Sequence, residues 1–193
     1  MLTELRRKDN FRQERQRGSR HDDCRLQPAL RPDLAMTKTF SIRQASLQDS
    51  DGILICLQQA FADYRSSYTP GGFADTILTP ETLRQRFTEM TVLVALDSSG
   101  QVIGTIAYKV EGNGEGHLRG MAVLPEFHGS QVAKSLLARA ESELGDLHCT
   151  ALTLDTTKPL QRAIRFYEKN GFRATGEVSS FFGMELLAYR KEI

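Results

Sequence analysis

The chain has 193 residues, 40% of them hydrophobic, with 25 basic against 24 acidic side chains. That length suits one domain with a real core. The near-zero net charge excludes a general affinity for nucleic acid or anionic membranes. No apolar run approaches the roughly 20 residues of a membrane helix, and no signal-type stretch opens the chain, so a cytoplasmic protein is expected.

Residues 1–38 are polar and of mixed charge, as in Arg6-Arg7-Lys8-Asp9. Such a segment buries too little surface to offset its ordering entropy and reads as a disordered leader. Translation starting at Met36 would make it an artefact. A basic arm for RNA or membrane is diluted by Asp9, Glu14, Asp22 and Asp23, and an organelle-targeting peptide would avoid those acids.

The domain is expected over residues 39–193. Phe40-Ser41-Ile42-Arg43 alternates like a strand. Ile53, Leu57, Ala60 and Phe61 recur at helical spacing, giving a helix from Asp49 to about Arg65. Thr69-Pro70-Gly71-Gly72 reads as a loop. Thr79 and Pro80 open a second helix as N-cap and first helical residue, running to about Glu89. Three strands in a meander follow: Val92 to Leu96, Val102 to about Val110, and about Gly116 to Val123, joined at Gly100 and at Gly112-Asn113-Gly114. A helix then buries Val132, Leu136, Leu137, Ala140 and Leu144. Ala151 to Leu154 is a strand, Pro159 to Asn170 a helix stopped by Gly171, and Ala174 to about Tyr189 a final hairpin. The order β-α-α-β-β-β-α-β-α-β-β predicts a mixed, mostly antiparallel α/β sheet with helices on both faces.

The cysteines, Cys24, Cys56 and Cys149, have no metal or redox spacing. Cys56 and Cys149 lie among apolar neighbours and read as buried thiols. The histidines, His21, His117, His128 and His148, show no ligand spacing, so no metal is expected.

The strand-loop-helix unit from Leu118 to Leu137 is the informative piece. A helix N-terminus after a glycine-bearing loop offers free N–H groups and a positive dipole end to a phosphate, although many such junctions carry no ligand. The unit resembles the acetyl-CoA pyrophosphate loop of the GNAT acetyltransferases. Val123, Pro125, Ala133, Leu136 and Leu137 match the family pattern, and Gly129 supplies its additional glycine. His128 stands where glutamine or arginine is usual, and Gln131 replaces the central glycine. Downstream, Ala163-Ile164-Arg165-Phe166-Tyr167-Glu168-Lys169-Asn170-Gly171-Phe172 resembles the family's Ala-x-x-x-Tyr-x-x-x-Gly-Phe segment. Leu160 occupies the place of a frequent asparagine. The two motifs lie in family order, and the resemblance covers roughly four fifths of the chain.

The resemblance implies the GNAT acyl-CoA N-acyltransferase fold and acetyl transfer from acetyl-CoA, with no metal, to a primary amine in a ternary complex. It places the cofactor against Met121, Ala122, Val123, His128, Gly129, Ser130, Gln131, Val132, Ala133, Lys134 and Tyr167. A backbone N–H near Val123 would polarise the thioester carbonyl, and Tyr167 would protonate the leaving thiolate. His117, six residues before Val123, sits where family members place a base; alternation would put His117, Arg119, Met121 and Val123 on one face of the strand. Glu115 is the alternative base. A core tyrosine, a strand-end histidine bonded to backbone and a paired arginine are the structural readings of Tyr167, His117 and Arg119. The acceptor is expected near Arg119, Tyr64 and Phe181, and is a small-molecule amine or a protein N-terminus. Neither nucleic acid nor membrane is an expected partner, and a homodimer is compatible with the sequence. A non-catalytic acyl-CoA-binding or protein-interaction domain of the same fold is the alternative.

Overall fold

A computed structural model describes residues 39–193. The expectations for residues 1–38, including Cys24, lie outside them. A seven-stranded sheet runs in the order β1-β2-β3-β4-β5-β7-β6. Its strands are β1 (Phe40–Gln44), β2 (Thr91–Asp97), β3 (Val102–Val110), β4 (Glu115–Val123), β5 (Ala151–Thr157), β6 (Arg173–Phe181) and β7 (Met184–Glu192). Only β4 and β5 pair in parallel; every other neighbour is antiparallel. Helices α1 (Ser50–Phe61), α2 (Pro70–Ile77), α3 (Pro80–Glu89), α4 (Val132–Asp146) and α5 (Gln161–Lys169) cover both faces of the sheet. The expected α/β class and mixed sheet are what the chain adopts. No described helix is long and apolar enough to cross a membrane.

The core lies on both sides of β2 and β3, where Leu93, Val94, Ile103 and Ile106 are fully buried. On one side α4 contributes the expected stripe of Val132, Leu136, Leu137, Ala140 and Leu144. Burying each of its leucines is worth roughly 1.5–3 kcal/mol. From α1 come Ile53, Cys56 and Leu57. Both Cys56 and Cys149 are buried free thiols.

Two local expectations are corrected. Thr69-Pro70-Gly71-Gly72 is the start of helix α2, not a loop. Thr69 caps it by accepting from the Gly72 N–H at 3.3 Å, and Pro70 takes a first-turn position. The glycines are there for packing. A side chain on Gly71 would collide with Phe182, and one on Gly72 would press on Thr69, Met184 and Phe181. The long helix expected to reach Arg65 ends at Phe61 and continues as a 3₁₀ segment, Ala62–Ser67. The start signal of α3 and the stop signal of α5 hold, while α5 begins at Gln161 and not at the expected Pro159. Thr79 caps α3, and Gly171 ends α5 at φ 93° in a Schellman arrangement, with Phe172 N–H to Tyr167 C=O and Gly171 N–H to Glu168 C=O.

Candidate active site

Strands β4 and β5 pair only from Glu115–Ala151 to Leu118–Leu154. Beyond that point β5 continues along β7, and β4 leaves it. The departure follows a bulge in β4. Ala107 of β3 faces Arg119 and Thr105 faces Ala122, so β4 carries one residue more than its partner. Gly120 sits there at φ 64°, in the left-handed region. The bulge overturns the simple alternation expected for this strand. Ala122, not Val123, keeps the side of His117 and Arg119, while Val123 pairs with Gly104, which faces Val132 and Leu136 of α4.

The splay opens a cleft of about 620 Å³. Along it lie Met121, Ala122, Val123, His128, Gly129, Ser130, Ala133 and Lys134 at one end. His117, Asp155, Thr156 and Tyr167 lie along its walls, and Tyr64, Tyr68, Asp75, Arg86, Arg119 and Phe181 also line it. The structure thus brings nearly all the expected residues to one cavity. Gln131, Val132 and the alternative base Glu115 are the exceptions. Val132, the first residue of α4, is fully buried, and the Gln131 side chain is exposed and does not line the cleft.

At the α4 end, Gly129 has φ 78°, and a Cβ there would meet nothing within 4 Å. Val132 N–H is taken by the Ser130 hydroxyl and Ser135 N–H by Gln131 C=O. The amides of Gly129, Ala133 and Lys134 have no partner among the described residues. These amides and the helix dipole make an anion cradle. His128 does not offer its ring to an anion. Its Nε2–H donates to the Val123 carbonyl at 3.1 Å, and its Nδ1 accepts from Arg162 Nη1 at 2.6 Å. Burial and the neighbouring Arg162 both lower its pKa, which keeps it neutral in this role. Arg162, which the sequence alone did not single out, is thereby held at the cleft.

Leu124 N–H bonds back to Ile103 C=O. By strand alternation the Val123 N–H therefore points away from β3, into the gap. Across it, the Thr156 hydroxyl is buried with no hydrogen-bond partner. An extended polar ligand with its own donors and acceptors would satisfy both groups. The cradle, the open edge of β4 and this orphan hydroxyl fit a diphosphate-bearing cofactor with an amide-rich arm.

Tyr167 is buried against Phe166 and Phe172, and burial pushes its hydroxyl far above the usual phenol range. Its hydrogen bond goes to the Met121 sulfur at 3.4 Å, a weak acceptor that leaves the hydroxyl available. His117 Nδ1 lies 3.0 Å from the Thr153 hydroxyl, and Nε2 lies 3.9 Å from Asp155. Burial lowers the His117 pKa despite Asp155. Glu115, the alternative base, is taken by Arg190 at 2.8 Å and by Asn113, and is absent from the cleft lining. Arg119 is paired with Asp75 at 2.8 Å. Among the described residues no group of three or more histidine, cysteine or acidic side chains is placed to hold a metal ion.

A family model described as the acetyltransferase (GNAT) family matches residues 57–172. The aminoalkylphosphonate N-acetyltransferase of Salmonella typhimurium is 29% identical over 140 residues, covering 68% of this chain and 84% of that one. The protein YdhI of Bacillus subtilis is 30% identical over 88 residues, 46% of this chain and 53% of its own length, so the match spans about half of that relative. Among solved structures, the PaiA N-acetyltransferase of Thermoplasma acidophilum in complex with coenzyme A superposes with a TM-score of 0.67 at 20% identity, over 80% of this chain and 99% of that one.

Proposed function

We propose direct acetyl transfer from acetyl-CoA to a primary amine in a ternary complex for this chain, which belongs to the acetyltransferase (GNAT) family and is an N-acetyltransferase. The observation that carries the reading is the opening of β4 from β5 beyond Leu118, which sets the free amides of the α4 turn and the Tyr167 hydroxyl on one cleft.

Bound acetyl-CoA supplies an acetyl group activated as a thioester. The amides of Gly129, Ala133 and Lys134 hold its diphosphate, with Arg162 adding charge, while the β4 edge and Thr156 hold the arm. Val123 N–H, aimed into the gap, stabilises negative charge growing on the carbonyl oxygen. His117 takes the proton of the incoming ammonium, whose ordinary pKa of about 10 leaves little free amine at neutral pH. This role requires Nδ1 to donate to Thr153, which leaves the Nε2 lone pair free, and Asp155 steadies the imidazolium that forms. Tyr167 gives its proton to the departing sulfur as the carbon–sulfur bond breaks, and its phenolate takes up the second proton that the nitrogen sheds as the amide forms. Its raised pKa keeps the hydroxyl protonated at neutral pH, so the proton is in place when that bond breaks.

The acceptor is read as a small primary amine ahead of a protein N-terminus, because the Salmonella relative is named for aminoalkylphosphonates and the last hairpin closes over the site. There the Thr69 hydroxyl donates to Phe182 C=O at 2.9 Å, and Phe181 lines the cleft. A cytoplasmic location suits a supply of acetyl-CoA. Native mass spectrometry should find coenzyme on the purified chain, and a panel of amines should yield acetylated product and free thiol in equal amounts. Coenzyme binding with no turnover of any amine would instead make the chain a non-catalytic acyl-CoA-binding domain.

A further inference from the structure

Arg86 sits on the inward face of α3, one turn after the buried Leu83, at a position where a helix normally places an apolar residue. Only 9% of it is exposed, and it lines the cleft. A guanidinium has five donors and is costly to bury unless they are met. Arg86 makes no ion pair and no side-chain hydrogen bond with any described residue. Its charged neighbours are Arg119, Asp75 and Glu89. Asp75 is already committed to Arg119. Glu89 is bonded to Gln85, so among the described residues neither carboxylate pairs with the buried guanidinium.

Space has been left for this group. A Cβ on Gly120 would collide with Arg86 Nη1, so the glycine at the β4 bulge both adopts the left-handed turn and admits the guanidinium. The next residue, Met121, touches the Tyr167 hydroxyl. Arg86 and the Tyr167 hydroxyl thus approach consecutive residues of β4, and both line the cleft. A purely structural arginine would spend its donors on carbonyls or carboxylates around it. This one keeps them, in a fork that matches a carboxylate or a phosphonate.

We propose that the acceptor carries an anionic group, a carboxylate or phosphonate, in addition to its amine, and that Arg86 beside the Gly120 bulge recognises it. The proposal deepens the acetyl-transfer reading and rests on it for the amine. Arg119 and Asp75 shape the same end of the cleft without adding net charge. Burial lowers the Arg86 pKa to about 10, still far above neutrality, so the site is cationic at physiological pH.

The test separates binding from chemistry. The full chain saturated with coenzyme A, which cannot transfer an acyl group, is titrated by calorimetry with 3-aminopropanoate, 2-aminoethylphosphonate and propylamine. The two acids should bind roughly 10- to 100-fold more tightly than propylamine, the range for hydrogen bonds to a charged group. Arg86→Gln should erase that preference and Arg86→Lys should keep part of it. Equal binding of propylamine and the acids, or a preference that survives in Arg86→Gln, overturns the proposal. Should Arg86→Gln fail to fold, the wild-type preference and its loss at high salt decide the matter. Acids that bind through Arg86 but are never acetylated would refute the reaction proposed above and leave this inference standing.

Discussion

The two ends of the cleft are made from different materials. The end at α4 is made of backbone: the amides of the 128–134 turn, a Gly129 in the left-handed region and the free edge of β4. The other end, proposed above for the acceptor, is made of side chains brought from α1, α2, α3, β4 and the last hairpin, with Arg86, Arg119, Asp75 and Phe181 among them. A backbone site tolerates unusual side chains, because the main chain does the binding. If the main chain holds the coenzyme as proposed, His128 and Gln131 can depart from the family pattern without loss of binding. A side-chain site has no such tolerance, and there one residue sets which molecule is accepted.

The sharpest way to break this contrast is at Tyr167, the side chain proposed to serve the cofactor. Tyr167→Phe should lower kcat by about 10²-fold, the low end for a general acid, with little change in the KM for acetyl-CoA. Steady-state kinetics would show it, and full activity in the variant would remove the acid role. Next in size is Gly129→Val. A branched residue at φ 78° is strained, and its side chain would fill the space left for the diphosphate. Acetyl-CoA affinity measured by calorimetry should fall roughly 10- to 100-fold, with the circular dichroism spectrum retained.

A smaller effect is expected from His117→Ala, about 10-fold in kcat/KM, because water can carry part of the proton transfer. The pH profile is more telling. His117 acts as a base only when neutral, and burial moves its pKa below the ordinary value of about 6.5. Activity should therefore hold at neutral pH and fall on acidification through a pKa below that value. The acidic limb should disappear in the variant. Smallest of all is Gln131→Ala, whose side chain is exposed outside the cleft; acetyl-CoA affinity should change by less than about 2-fold. A larger loss would mean that the turn depends on that side chain after all.

The same division explains what could be read from the chain alone. The meander, the buried stripe of α4, the Thr79 cap and the Gly171 stop follow from local patterns, and so does the glycine-bearing turn before α4. The beginning of α2 was illegible because its glycines answer to Phe182 and Met184, more than a hundred residues away, not to local turn preference. The face assignment along β4 failed because one bulge at Gly120 inverts the alternation, and nothing in the local sequence distinguishes that glycine from an ordinary one. Arg86 looked like any helical arginine. Its burial depends on Gly120 from another element, a pairing visible only after folding. Arg162 was missed for a similar reason, since its place at the cleft is set by His128.

The proposed transfer depends on the α4 turn gripping a diphosphate with its main chain, and a crystal structure with coenzyme A tests that most directly. The diphosphate oxygens should lie within hydrogen-bond distance of the Gly129, Ala133 and Lys134 amides, with the thiol beside the Tyr167 hydroxyl and the Gln131 side chain turned to solvent. Coenzyme bound elsewhere, or a turn filled by Gln131 with no nucleotide in the cleft, would contradict it.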